Sequence, residues 1–164
     1  MSVREVIATI RDCLKDDVVG LAPAVRALAG MADKPERVRD DFNFVKWKLS
    51  GAANLQPTTA PNVMLRPKSW SSDVKQATHR NGKSFIELGI EWFDAETDVL
   101  QDNITIGAVA LARVVDGLRA YSDAHDGTII DVVDPIQFVF GEFDAPASSG
   151  FLATLEIEER SVHE

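Results

Sequence analysis

The chain has 164 residues, 45% of them hydrophobic, and a formal net charge of -9. That is the length of one ordinary domain, which buries enough surface to fold without disulfide or metal staples. The negative charge disfavours tight binding to phosphate backbones and to anionic membranes, since it offers few cations to replace their counterions.

An amphipathic helix opens the chain. Val3, Val6, Ile7, Ile10 and Leu14 recur at helical spacing, and Ser2 with Glu5 forms a capping box, in which each side chain satisfies a free backbone N–H. Gly20 ends this helix or begins its turn, and a short apolar segment, Leu21 to Met31, follows. Two readings fit residues 33–50. Asp33, Pro35 and Glu36 resemble a helix start, with Val38, Phe42, Val45 and Leu49 on one face. Val45, Trp47 and Leu49 equally alternate with Lys46 and Lys48, as in a strand. Residues 50–61 read as a loop.

Asn62 to Arg66 is expected to be a short strand closed by Pro67. Residues 72–80 and 83–93 flank Asn81-Gly82, a hairpin signal because both residues tolerate positive φ. In the second arm Ile86, Leu88, Ile90 and Trp92 point one way, and Phe85, Glu87, Gly89 and Glu91 the other: one buried face and one polar face. Asp94 to Thr97 offers capping groups for a long helix reaching about Asp123. Gly107 and Gly117 weaken that helix, and close packing against the sheet would explain them. After a turn at Asp126-Gly127, two strands close the fold. One carries Ile136, Phe138 and Phe140; the other carries Phe151, Ala153, Leu155 and Ile157, with Glu156 and Glu158 on its outer side. The fold expected is α+β: a mostly antiparallel sheet with the N-terminal helix and one long helix packed on one face. Residues 1–160 read as a single domain and 161–164 as a polar tail.

The residues offer little chemistry. His79, His125 and His163 have no second ligand at a metal-site spacing. The lone Cys13 sits in a helix, without the context of a nucleophile and with no partner for a disulfide. Nucleophile elbows, paired-histidine zinc motifs and phosphate loops are absent from the sequence. No catalytic residue, cofactor or metal is expected, and the chain reads as a non-enzyme. The opening Met1-Ser2-Val3-Arg4-Glu5 lacks the build of a signal peptide, and no apolar run approaches the roughly 20 residues of a membrane span. A cytoplasmic protein, or an assembly built there, is expected. Trp92 belongs to a buried strand face. Trp70, in a polar connection, and Phe85, Phe93 and Phe143, on or near the outer side, are candidates for a subunit or partner interface. Glu87, Glu91, Glu156 and Glu158 make the expected free face acidic.

The order and texture of these elements resemble the tail terminator proteins of long-tailed bacteriophages, also called tail completion or head–tail joining proteins. Four features carry the resemblance: the N-terminal helix, the Pro-flanked Pro61-Asn62-Val63-Met64-Leu65-Arg66-Pro67, the arm Ser84 to Trp92 leading into the long helix, and the paired ending of Ile136 to Glu142 and Gly150 to Arg160. The resemblance spans nearly the whole chain and is weakest over residues 20–60, where many such proteins are shorter. It implies a homohexameric ring in the tail or neck of a virion, assembled in the bacterial host cytoplasm. Such a ring caps the tail tube protein, meets a neck, head-closure or adaptor protein, and passes DNA without specific binding. The acidic face would then line the channel. The alternatives are another neck component, such as a head-closure protein, or a small α+β enzyme or small-molecule binding module.

Overall fold

A computed structural model describes residues 3–32, 35–46, 60–72, 82–94, 96–126, 128–142 and 148–161. Helix α1 (Val3–Lys15) is the amphipathic opening segment, and it buries Val6, Ile10, Cys13 and Leu14. Ser2 lies outside the described residues, so the expected capping box is not on view. A tight connection, fastened by Gly20 N–H donating to the Asp16 carbonyl at 3.0 Å, leads to α2 (Leu21–Ala29). A methyl group on Gly20 would collide with the carbonyl oxygens of Asp16 and Leu14, so the connection requires glycine for lack of room. Neither reading of residues 33–50 holds throughout. The chain makes one 3₁₀ turn, Pro35–Arg37, and the two-residue strand β1 (Asn43–Phe44); the alternation at residues 47–50 lies outside the described residues.

The remaining elements are β2 (Asn62–Ser72), β3 (Gly82–Phe93), α3 (Thr97–Asp116), α4 (Leu118–Asp126), β4 (Thr128–Glu142) and β5 (Ser148–Ser161). Among the described residues the sheet has five strands in the order β1-β2-β3-β5-β4, with β1 parallel to β2 and every other pair antiparallel. Strand β5 therefore inserts between β3 and β4, which the two helices connect. Helix α1 packs against β2, α3 against β3, β5 and β4, α4 against β4, and α2 against α3.

The inward faces of the strands and the helices share one core. Val63 and Leu65 of β2, Ile86, Leu88, Ile90 and Trp92 of β3, and Phe151, Ala153, Leu155 and Ile157 of β5 meet Leu111, Val114, Val115 and Leu118 of the helices there. Burying each such aliphatic or aromatic side chain contributes about 1.5–3 kcal/mol. The α+β class and the one-sided helix layer expected from the sequence are both present.

Four local expectations differ from the structure. Pro67 does not close its strand: β2 runs through it, with a register shift between Pro67 and Ser69. Proline is tolerated because β1 reaches only Asn62 and Val63, so the missing N–H interrupts no pairing observed on that side. Strand β3 pairs as a hairpin with Asn62–Ser72, and of the arm expected at residues 72–80 only Ser72, paired with Gly82, is among the described residues. The two edges of β3 are taken by Asn62–Ser72 and by β5, and residues 73–81 lie outside the described residues. The single long helix is two, broken at Gly117, which caps α3 with φ -87° and ψ -4°. Strand β4 begins at Thr128, not near Ile136, and carries two extra residues against β5 between Val133 and Gln137.

Candidate assembly surfaces

Three surfaces stand out: the sheet face away from the helices, the edge strand β4, and a groove in the helix layer. On the outer face, register sets Phe85, Glu87, Gly89 and Glu91 of β3 beside Glu156, Thr154, Leu152 and Gly150 of β5. All four predicted acidic residues thus share this face, but in unlike environments. Glu87 is paired with Arg66 at 2.5 Å and with Lys68 at 3.7 Å, its side chain only 14% exposed. Glu156 is paired with Lys83 at 2.5 Å, and that carboxylate holds the Lys83 ammonium above its ordinary pKa. Glu91 is buried. Glu158 is half-buried, with Lys83 as its cross-strand neighbour on β3. The face therefore carries both signs of charge, with lysine and arginine interleaved among its carboxylates.

The predicted apolar contacts are scattered. Phe85 is half-buried on the outer face with the Lys83 ammonium 5.7 Å from its ring centre, inside the range of a cation–π attraction. Phe93, also half-buried, ends β3 opposite Ser148. Trp70 is a β2 residue whose backbone pairs with Ser84; its side chain and all of Phe143 lie outside the described residues. His79, His163 and Trp47 also lie outside them. His125 is exposed in the last turn of α4, its Nδ1 2.9 Å from the Tyr121 carbonyl and its ring stacked on Tyr121 at 4.1 Å.

Sequence reasoning missed two large apolar side chains of the sheet that stand exposed. Strand β4 lies at the edge, and there Val139 is 66% and Phe140 58% exposed. Phe140 belongs to an aromatic row. It stacks on Phe138 with centroids 6.1 Å apart and meets Phe151 edge-on at 5.9 Å; Phe151 in turn lies against Trp92 at 5.7 Å. One end of the row is therefore core, and the other stands in solvent.

The groove, about 560 Å³, lies where the α1–α2 connection faces α3 and α4. Val18, Val19, Arg113, Ala120, Tyr121 and His125 are among its walls. Asp16 accepts the N–H groups of Val18 at 2.8 Å and Val19 at 2.9 Å, which fixes the connection and lowers the Asp16 pKa. Cys13 lines the floor. Its thiol is pushed up to about 11, chiefly by burial and further by the Asp16 charge, so it remains protonated and a poor nucleophile. A second, more polar groove of about 440 Å³ runs between Arg37, Val38 and the first turns of α3, where Arg37 and Asp102 approach to 3.7 Å.

Beneath that second groove lies a polar clamp that the sequence did not reveal. Asn103 of α3 is buried. Its Oδ1 accepts the Arg39 N–H at 2.8 Å, and its Nδ2 donates to the carbonyls of Arg37 at 2.9 Å and Val99 at 2.8 Å. One side chain thus holds the irregular segment after α2 on the helix layer.

Among the described residues no cluster of three or more His, Cys, Asp or Glu is arranged to hold a metal ion, and no helix is long and apolar enough to cross a membrane. The sequence matches no protein-family model and no curated protein.

Proposed function

We propose that this chain is a ring-forming structural protein of a bacteriophage neck, acting as a tail terminator. Its copies would close into a homohexamer that caps the tail tube protein, meets a head-closure or adaptor protein, and lets DNA pass without specific contacts. The observation that carries this reading is the edge of the sheet: among the described residues no strand pairs with the outer side of β4, and Val139 and Phe140 stand exposed there for a neighbour. The same order of helix, proline-containing strand, arm, long helical stretch and paired ending supports it. A closed ring needs two unlike patches on each subunit, and the molecule carries unlike patches on its sheet edge and its helix layer.

In this reading Glu156 and Glu158 lie on the face that DNA passes, while Glu87 is mostly covered and Glu91 is buried on that side of the sheet. Mixed charge there is compatible with passage, because a few paired cations displace few counterions. Electron microscopy of the purified protein mixed with tail tubes tests the assignment. Rings seated on tube ends support a terminator. Rings that bind only the portal-side adaptor place the chain elsewhere in the neck.

A further inference from the structure

We infer that the subunits join head to tail, the Phe140 side chain of one copy entering the groove between the α1–α2 connection and α3–α4 of the next. This interface rests on the ring reading above and gives it named residues.

Phe140 has the properties of a binding anchor. It is exposed, yet its ring is held by Phe138 and Phe151, so docking it costs little conformational freedom. It stands on an edge strand, with no further strand beyond it among the described residues. In a typical β-protein such an edge is blunted by charge, proline or a bulge. Strand β4 concentrates those devices upstream, with Pro135 inside its two-residue register shift, and leaves Gln137–Gly141 regular and unguarded.

The groove has the properties of a receiver. Its volume of about 560 Å³ lies within the range that admits a large side chain with its neighbours. Val18, 81% exposed, and Val19 form an apolar rim, and the stacked Tyr121 and His125 rings form a wall suited to an aromatic guest. The Asp16 hydrogen bonds to the rim make it preformed.

Charge identifies the occupant as a second copy. Two chains of net charge -9 repel unless they meet where that charge is absent. The run Pro135–Gly141 contains no charged residue, and the groove sets Arg113 against the single carboxylate of Asp16. Anchor and groove lie on different elements, β4 and the helix layer. In the inferred joint the groove of the copy that donates its Phe140 receives the anchor of a third copy and not of its own acceptor, which is the heterologous arrangement that closes a ring.

The test uses two single substitutions, Val18→Cys and Gly141→Cys, the second beside the anchor in open space and leaving Phe140 intact, with a short bismaleimide crosslinker. Buried, protonated Cys13 gives no background, which unsubstituted protein verifies under the same conditions. Each variant alone should yield no crosslinked dimer, and an equimolar mixture should yield one. A Phe140→Asp variant, confirmed as folded by circular dichroism, should associate at least about 30-fold more weakly, as expected on loss of a central aromatic anchor. Dimers from Gly141→Cys alone would mean edge-to-edge pairing of β4 and overturn the inference. Rings that persist with unchanged affinity in Phe140→Asp would overturn the interface and leave the ring reading standing. A chain that is monomeric at every concentration, alone and with tail tubes, would remove both.

Discussion

Gly107→Ala should destabilise the protein although alanine is the better helix former. In an exposed helix interior the exchange gains about 1 kcal/mol. Here a methyl group built on Gly107 would sit 2.4 Å from Cζ2 and Cη2 of Trp92, where carbon atoms normally meet at about 3.5–4.0 Å. The indole has no room to retreat: Trp92 is 3% exposed, Phe151 lies 5.7 Å away and Phe42 6.4 Å away. Either α3 lifts from the sheet or the ring leaves its rotamer. Overpacking of that kind costs about 1–3 kcal/mol, and an overlap of more than an ångström with a rigid ring belongs at the upper end. The net expectation is a loss of about 1–2 kcal/mol, or a fall in Tm of about 2–8 °C for a domain of this size. Gly117→Ala is the control. Gly117 is exposed, its φ of -87° suits any residue, and its nearest contact would be the Val114 carbonyl at 3.4 Å; stability should hold or rise by up to about 1 kcal/mol. Urea denaturation followed by circular dichroism measures both. Trp92→Phe removes the obstructing ring atoms, so Gly107→Ala should cost less in that background. A Gly107→Ala protein as stable as the parent would show that α3 does not rest on Trp92, and the packing described here would be wrong.

Asn103→Ala should cost about 1–3 kcal/mol, because it leaves the Arg39 N–H and the Arg37 carbonyl without their partner. Hydrogen exchange should show the Arg39 amide losing protection, and unchanged protection there would refute the clamp. Glu159 faces the core, 4% exposed, with its Oε1 lacking a hydrogen-bond partner, and burial raises its carboxyl pKa above the ordinary 4.5. The folded chain thus binds that proton more tightly than the unfolded chain. Its contribution is fully present below pH 4.5 and is lost as pH rises through the raised folded value. Glu159→Gln should therefore raise stability at pH 7 by about 1 kcal/mol and flatten the decline above pH 4.5 in pH-resolved melts. An unchanged pH profile would place the carboxylate in water.

What the sequence made legible follows from how many positions shared one cause. The alternation of Ile86, Leu88, Ile90 and Trp92 was readable because the sheet has one buried face, so every second residue repeats the same signal. The apolar stripe of α1 was readable for the same reason at helical spacing. Strand β4 was read from Ile136 onward because its first half breaks the alternation: Ile129-Ile130 and Val132-Val133 come as doublets, and Asp134-Pro135 resembles a turn where the strand in fact bulges. Gly107 and Gly117 looked alike in sequence, yet one admits a tryptophan and the other ends a helix.

The surfaces were less legible because they depend on distant parts of the chain. Asn103 is one polar residue among many in α3, and its partners at Arg37 and Arg39 are set by tertiary packing. The acidic outer residues were placed on the correct face, but the cations that pair with Glu87 come from β2. Alternation sets Phe140 on the same side as Phe138, which suggests burial; its exposure follows from its place at the sheet edge.

Native mass spectrometry of the intact protein, with and without tail tubes, tests the central claim most directly. The proposed homohexameric ring predicts a closed species of six times the 18.0 kDa chain mass, present alone or appearing when tubes are added. A species that remains at 18.0 kDa under both conditions, or one that stops at a symmetric pair, would contradict it.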